Sequence, residues 1–288
     1  MRGASGGTVV KSFFRKKSPG SWLITLAMYA LALTWLYPYI WMVMASLKPT
    51  ADIYTTGLFS GPLTTENFRF LFDSAARLDR PFIRALLNSI GITSIVTACV
   101  LVTSVYTAFA IVKLKFRGHR FVSDFLVLQM VWPTMLLTLP LFVLVRQMGL
   151  LNTYAAMVLP SMVSGWGVFM TAQAFKGTPN DYIDAARLDQ ASLGQILRNV
   201  MVPLNKSIIA IVGLFTFTGT WDNFMWPLIV VSDVGKMPLS VLLATFDKQY
   251  GFYLGPVMAG AVIQSLPLIA LFVLFRKYFL QGMSLSLK

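Results

Sequence analysis

Charge is what this 288-residue chain has least of. Only 12% of its residues are charged, against 56% hydrophobic and 14% aromatic. That is too little charge to coat a soluble protein of this size, so lipid must be much of its solvent. Cysteine is nearly absent as well: Cys99 stands alone inside an apolar run, which excludes a disulfide framework. The single histidine, His119, sits in a basic cluster without a cysteine or histidine partner, so a metal site is not expected and a solvated loop is. No Gly-x-x-x-x-Gly-Lys-Ser/Thr run exists, since Gly235-Lys236 leads into Met237, and the chain has no phosphate-cradling loop of its own. An intramembrane enzyme needs paired catalytic groups within its spans. Asp222, Cys99 and no histidine make a poor inventory for one. No internal repeat with a period of about 20–50 residues is visible.

What the chain does have is long apolar runs. A helix needs about 20 apolar residues to cross roughly 30 Å of hydrocarbon. Six stretches qualify, at 22–46, 87–112, 122–145, 153–175, 207–231 and 255–275. The net charge of +13 would point to nucleic acid in a soluble domain, but here it is read loop by loop against the membrane. Lys11, Arg15, Lys16 and Lys17 precede the first span, Lys113, Lys115, Arg117 and Arg120 lie between the second and third, and Arg276, Lys277 and Lys288 follow the last. On the other side Lys48, Arg69, Arg77, Arg80 and Arg84 are diluted by Asp52, Glu66, Asp73 and Asp79, and that mixture reads as a solvated loop. The basic bias therefore places both termini and the polar segment 176–206 in the cytoplasm of a multi-pass cell-membrane protein. Residues 1–21 read as a cytoplasmic tail. The run after them is too long for a signal-peptide core and lacks a small-residue cleavage site, so it reads as an uncleaved anchor opening a transmembrane domain over 22–288.

The second span is rich in small and hydroxyl residues (Ser89, Gly91, Thr93, Ser94, Thr97, Thr103, Ser104, Thr107), which let helix backbones approach closely in lipid. It is expected to be buried. Pro38, Pro133, Pro140, Pro160, Pro227 and Pro267 predict kinks. Asp222 falls well inside the fifth predicted span, where a carboxylate facing lipid costs several kcal/mol. Flanked by Trp221, Asn223 and Phe224, it offers an acceptor beside aromatic faces, suited to sugar hydroxyls and ring faces. Two readings stand open for these residues: they line a substrate pathway, or they satisfy a break in the helix. Trp226 reads as part of an interfacial aromatic belt.

Residues 178–206 form the long polar stretch of the second half. Thr178-Pro179-Asn180-Asp181 supplies a helix start signal with Thr178 as N-cap, and Ser192-Leu193-Gly194-Gln195 has the capping-box pattern. Two short helices with a tight turn near Gln190-Ala191 are predicted, ended by Val202-Pro203. Ile183, Ala186, Leu188, Ala191, Ile196, Val200 and Met201 are expected to gather on one side, leaving Asp184, Arg187, Asp189 and Arg198 to water or a partner. Ala185 and Ala186 keep one surface low enough to lie in a groove of another protein.

These residues resemble a known pattern. Asp184-Ala185-Ala186, Asp189, Ala191-Ser192, Ile196 and Val202-Pro203-Leu204 are similar, with matching spacing, to the EAA loop of binding-protein-dependent ABC importer permeases. Downstream, Trp221-Asp222-Asn223-Phe224, Trp226-Pro227-Leu228, Gln249-Tyr250-Gly251 and Lys277-Tyr278-Phe279 with Gly282 resemble the maltose-type carbohydrate subfamily. The resemblance implies an all-α type I importer permease with six transmembrane helices and a cytoplasmic coupling helix pair. It implies no catalytic or metal residue here, with ATP and magnesium handled by a partner ATPase. Coupling would fall to Asp184, Ala185, Ala186, Asp189, Gln190 and Ala191, and Tyr250 and Gly251 would lie near a docked extracytoplasmic solute-binding protein. The implied partners are a second permease subunit, two ATPase subunits, that binding protein and membrane lipid. Two departures stand out: Asp184 replaces the usual glutamate, and Gln190 the usual glycine, where a left-handed backbone costs about 1–2 kcal/mol. The reading is a permease subunit for a carbohydrate or related polar solute, with an intramembrane enzyme or a channel or receptor subunit as the alternative.

Overall fold

The computed structural model describes residues 19–74, 81–249 and 253–285. Most of the tail at 1–21, Arg77, Asp79 and Arg80, and the loop residues Tyr250 and Gly251 lie outside these, as do the side chains of Tyr278, Phe279 and Gly282. Among the described residues every regular element is helical.

Four helical stretches are long and apolar enough to cross a membrane unbroken: Trp22–Ser46, Phe82–Leu114, Tyr154–Gly177 and Leu254–Lys277. They correspond to α1 (Pro19–Ser46), α2 (Phe82–Leu114, with a π turn over its last five residues), α5 (Gly165–Gly177, preceded by the short helical turns of 154–161) and, at the end, a long helix over Leu254–Leu285. The other two predicted spans are not single helices. The stretch at 122–145 is split into α3 (His119–Val131) and α4 (Thr134–Gln147, opening with a 3-10 turn), bent by 96°. The cause is Pro133: a proline disfavours the helical backbone of the residue before it, and Trp132 is extended at ψ 130°. Pro140 lies in the first regular turn of α4, where its missing N–H costs nothing. The stretch at 207–231 divides into α8 (Lys206–Trp221) and α9 (Met225–Val230) around Asp222. Between α5 and α8 lie α6 (Asp181–Leu188) and α7 (Leu193–Leu204), with α7 meeting α8 at 81°. Two further elements are α10 (Leu239–Gln249), an amphipathic helix where the sequence reading has only a loop, and the long final helix, α11 (Leu254–Leu285). Pro38 and Pro267 sit inside α1 and α11.

The expectation of a buried second span holds on one side: α2 is the spine of the molecule, with Leu87, Val102 and Tyr106 exposed on its other side. α8 and α5 pack along it, and three buried clusters are strung down its length. At one end Phe82 and Ala85 meet Leu71 and α10 through Leu239, Leu242 and Phe246. In the middle Ile92, Val96 and Val100 pack with Val145, Met157, Val212 and Trp226. At the other end Ala108, Phe109, Ile111 and Val112 pack with α5 through Val168, Ala172 and Phe175, and with α6 and α7. Small residues set the spacing, as van der Waals packing in lipid requires. A Cβ on Gly167 of α5 would lie 2.6 Å from Ser104 Oγ and 3.2 Å from Val212 Cγ1. α1, by contrast, packs mainly against α11, and its apolar window has no buried residue. Its Trp22, Leu26, Leu33 and Trp35 face outward, towards lipid or another chain.

Candidate functional site

The hairpin of α6 and α7 is built on the end of the spine. Its inward residues, Ile183, Ile196, Leu197 and Met201, are buried against Phe175, Ala172 and Phe109, with Ala186, Ala191 and Val202 half buried around them. Each fully buried side chain of this size contributes about 1.5–3 kcal/mol where the alternative is water. The start of α6 differs from the expected one. Thr178 is the C-cap of α5, not the N-cap of α6: its hydroxyl lies beside Ala174 O and the amide of Asn205, while Asn180 precedes α6 without a side-chain cap. The capping box at Ser192 forms as expected, with Gln195 N–H donating to Ser192 Oγ and Ser192 N–H to Gln195 Oε1 at 2.7 Å. Pro203 does not end α7. The helix runs on to Leu204 and turns at Asn205, whose amide donates to Met201 O at 2.8 Å and Thr178 Oγ1 at 3.0 Å.

The turn between the helices is left-handed at Gln190, with φ at +58°. Gln190 N–H donates to Arg187 O and Ala191 N–H to Ala186 O, at 2.9 and 3.0 Å. This is the helix-ending arrangement that most helices build with glycine, assembled here from backbone bonds around a glutamine. The half-buried Ala186 and Ala191 are the pair of positions expected to touch in it.

Of the residues singled out from the sequence, Asp184, Ala185, Asp189 and Gln190 share the exposed outer surface, whereas Ala186 and Ala191 turn inward. Asp184 meets Arg187 at 3.4 Å with both side chains more than half exposed, a pair worth little to stability. Leu188, expected on the inner side, is instead 85% exposed. Together with Tyr182, Leu193 and Ala185 it forms an uncovered apolar face on a solvated hairpin. The sequence reading missed this face. The available signal was a leucine and a tyrosine on the charged side of α6.

The second candidate is the break at 222–224. Trp221 is buried, stacks on Phe217 at 5.8 Å and donates through Nε1 to Gln264 O in α11 at 3.0 Å. Asn223 accepts from Trp226 N–H through Oδ1, starting α9, and its carbonyl accepts from Ser240 at 3.2 Å. Trp226 is not in an interfacial belt. It is 9% exposed, and its Nε1 donates to Ala156 O at 2.9 Å. Trp221 and Asn223 line a narrow seam of about 10 Å³ with Ser89, Thr93, Ser161 and Thr220 and the apolar Ile92, Met157 and Pro227, and Ser89 Oγ already accepts from Leu239 N–H at 2.8 Å. Asp222 is exposed and lies outside that seam, and Phe224 is half buried against the central cluster. Among the described residues no three potential metal ligands gather.

With the geometry described, the chain can be set beside known proteins. A family model described as "Binding-protein-dependent transport system inner membrane component" matches residues 100–285. The arabinooligosaccharides transport system permease protein AraQ of Halalkalibacterium halodurans is 30% identical over 277 residues, covering 94% of this chain and 98% of that protein. The lactose transport system permease protein LacG of Rhizobium radiobacter is 30% identical over 253 residues, covering 88% and 91%. The sn-glycerol-3-phosphate transport system permease protein UgpE of Brucella abortus is 26% identical over 257 residues, covering 86% and 90%. In fold, the chain is similar to a chain of a bacterial ABC transporter involved in importing the acidic polysaccharide alginate. There the TM-score is 0.78 at 23% identity, covering 91% of this chain and 98% of that one.

Proposed function

The chain belongs to the family of binding-protein-dependent transport system inner membrane components, and from that premise we propose that its α6–α7 hairpin receives the stroke of a cytoplasmic ATPase. The protein is a multi-pass membrane permease subunit of an ABC importer for a carbohydrate or a related polar solute, working with a binding protein and other subunits. ATP hydrolysis belongs to a separate chain. These relatives favour transport over the intramembrane-enzyme and channel alternatives.

In the finer reading, residues 22–288 are the permease domain and 1–21 a tail. Both termini and the 176–206 loop lie in the cytoplasm, as the basic bias supports. The partners are a second permease subunit and two ATPases that bind ATP and magnesium. One observation carries the coupling role. The hairpin is a packed unit, buried on the spine by Ile183, Ile196 and Met201, that leaves Leu188, Ala185 and Tyr182 bare. A solvated hairpin with an apolar outer face needs a covering partner. Within the α6–α7 turn, Ala186 and Ala191 set the hairpin's shape, while Ala185, Asp189 and Gln190, with Asp184 at the rim, meet the ATPase.

For the solute, the support is the polar residues of the seam beside Trp221 and Asn223, which at about 10 Å³ is closed to a sugar in this conformation and would have to widen to pass one. Hydroxyl and amide groups can exchange hydrogen bonds with a sugar as they would with water. Asp222 stands at the edge of this route as a free acceptor. Tyr250 and Gly251 are proposed to lie towards the binding protein.

The test is Leu188→Glu in the assembled transporter. Co-purification of the ATPase chain and ATP-driven uptake should both fall by about tenfold or more, since buried anchors dominate such interfaces. Thermal unfolding should stay unchanged. Full ATPase retention by this variant would overturn the assignment.

A further inference from the structure

A cleft of about 420 Å³ opens where α2 ends and α3 begins. Its walls carry Lys113, Lys115, Arg120 and Lys176 against one carboxylate, Asp124. Lys113 is engaged, donating to Thr178 O and Asn180 Oδ1, both at 2.9 Å. Lys115, Arg120 and Lys176 are exposed, and the ion pairs found among the described residues, Arg187 with Asp184 and Lys236 with Asp233, involve none of them. Like charges gathered on one concave surface raise its affinity for an anion.

A second observation points the same way. The 13-residue α3 starts in this cleft behind Gly118, at φ +93°, with no side-chain cap on its first N–H groups. His119 N–H is taken by Phe116 O at 3.0 Å, so what the helix start adds to the cleft is the positive end of its dipole, which favours phosphate-like ligands. His119 lines the same wall, its Nδ1 donating to Phe116 O at 2.9 Å.

The surroundings identify the source of the anion. Leu114, Phe116, Phe121 and Phe125 beside the cleft are 43%, 41%, 75% and 56% exposed, and Phe121 and Phe125 stack at 6.4 Å on the outer face of α3 as it runs into its span. A basic concavity at the ends of membrane helices matches the headgroup of an anionic phospholipid. The cleft takes His119, Arg120, Ser123 and Asp124 from α3, and Phe121 and Phe125 stand on another exposed face of the same helix.

We propose that this cleft binds the phosphate of an anionic phospholipid, held by Lys115, Arg120, Lys176 and the start of α3. The cleft adjoins a hollow that shares Lys113, Lys115 and Asn180 and is walled on its far side by Ile183, Asp184 and Arg187 of α6. A bound headgroup therefore braces the base of the hairpin and raises the efficiency of transport. That last step rests on the coupling role proposed above; the binding step does not.

The experiment reconstitutes the whole transporter in phosphatidylcholine alone and in an equimolar mixture with phosphatidylglycerol. Lipid retained on the complex is read by native mass spectrometry, and uptake is read in parallel. Lys115→Gln/Arg120→Gln/Lys176→Gln should retain about tenfold less phosphatidylglycerol than the parent and lose the extra uptake that this lipid confers. Lys176→Gln alone should show part of that loss, which covers the case in which the triple variant fails to assemble. Equal retention by parent and variants overturns the proposal. So does inorganic phosphate that reproduces the uptake gain in phosphatidylcholine at constant ionic strength, since the site would then take a free anion. Loss of the ATPase chain from the triple variant in phosphatidylcholine would mark a protein-docking patch and overturn it equally. Failure of the coupling reading shows separately, as ATPase retention by Leu188→Glu.

Discussion

The turn at Gln190 and the break at Asn223 are two places where the second half of the chain leaves regular helix near a candidate site, and they are held in opposite ways. The Gln190 turn is closed by local backbone bonds to Arg187 and Ala186, so the hairpin keeps its shape whatever its outer face touches. The break is pinned by side chains to distant segments: Trp221 to Gln264, Trp226 to Ala156 and Ser240 to Asn223. The first construction suits a part carried as a unit and pressed upon. The second resists movement, because opening the seam breaks one buried bond, Trp226 to Ala156, and two partly buried ones together.

The sharpest way to break this comparison is to place the same bulk on neighbouring alanines. Ala185→Trp, on the outer face, should leave unfolding within about 0.5 kcal/mol of the parent yet lower ATP-driven uptake about tenfold or more. Ala186→Trp, on the inner face, should cost about 1–3 kcal/mol or more through overpacking. Measuring uptake and thermal unfolding of both separates a docking defect from a folding one, and identical behaviour would erase the distinction between the two faces. Next in size is Trp226→Phe, which strands the carbonyl of Ala156. The expected loss is about 1–3 kcal/mol, read as a lower unfolding temperature in detergent, whereas any substitution at exposed Leu188 should leave that temperature alone. Smaller is Gln190→Gly. Removing the left-handed strain returns about 1–2 kcal/mol, of which glycine's greater freedom in the unfolded chain takes back up to about 1 kcal/mol. Unfolding should shift slightly upward with uptake retained, and a destabilised variant would mean that the glutamine side chain itself holds the turn.

The smallest effect belongs to Asp233, in the loop after α9. The hydrogen bond from Lys236, at 2.9 Å, with a second from Gly235 N–H, holds its carboxyl below the usual carboxylate range. A folded-state value below the unfolded one stabilises the fold above the unfolded value, near pH 4, and the benefit disappears as pH falls through the folded value. Asp233 is on the surface and screened by water, so the difference between parent and Asp233→Asn should be barely measurable at neutral pH and absent in acid. Unfolding of the two at several pH values checks it.

Much of this was legible in the sequence because it rests on local rules. The capping box at Ser192 and Gln195, the small-residue character of α2 and the apolar spans follow from spacing and composition alone. The kink expected at Pro133 is present, but at 96° it splits the third span into two helices, and neither run length nor the proline alone sets the size of such a bend. Trp226 was misplaced because an aromatic near a span end has the same composition whether it anchors at an interface or donates to a carbonyl seventy positions away. Leu188 lies two residues after Ala186 and five after Ile183, so helix periodicity alone puts it on the opposite side of α6 from both, and its apolar character is no guide to its face. Asn205 drew no notice at all, since its partners Thr178 and Met201 meet it only after the chain folds back.

The spine helix has one more property, which follows from its length. At 1.5 Å per residue the 33 residues of Phe82–Leu114 make a rod about 50 Å long. It is gripped at one end by the cluster that holds the hairpin and at the other by the cluster that contains α10. Pivoted near its middle, such a rod converts a tilt of about a tenth of a radian into shifts of about 2.5 Å at each end, in opposite senses. In that geometry a small push at the hairpin end would arrive at the α10 end with its direction reversed and its amplitude intact.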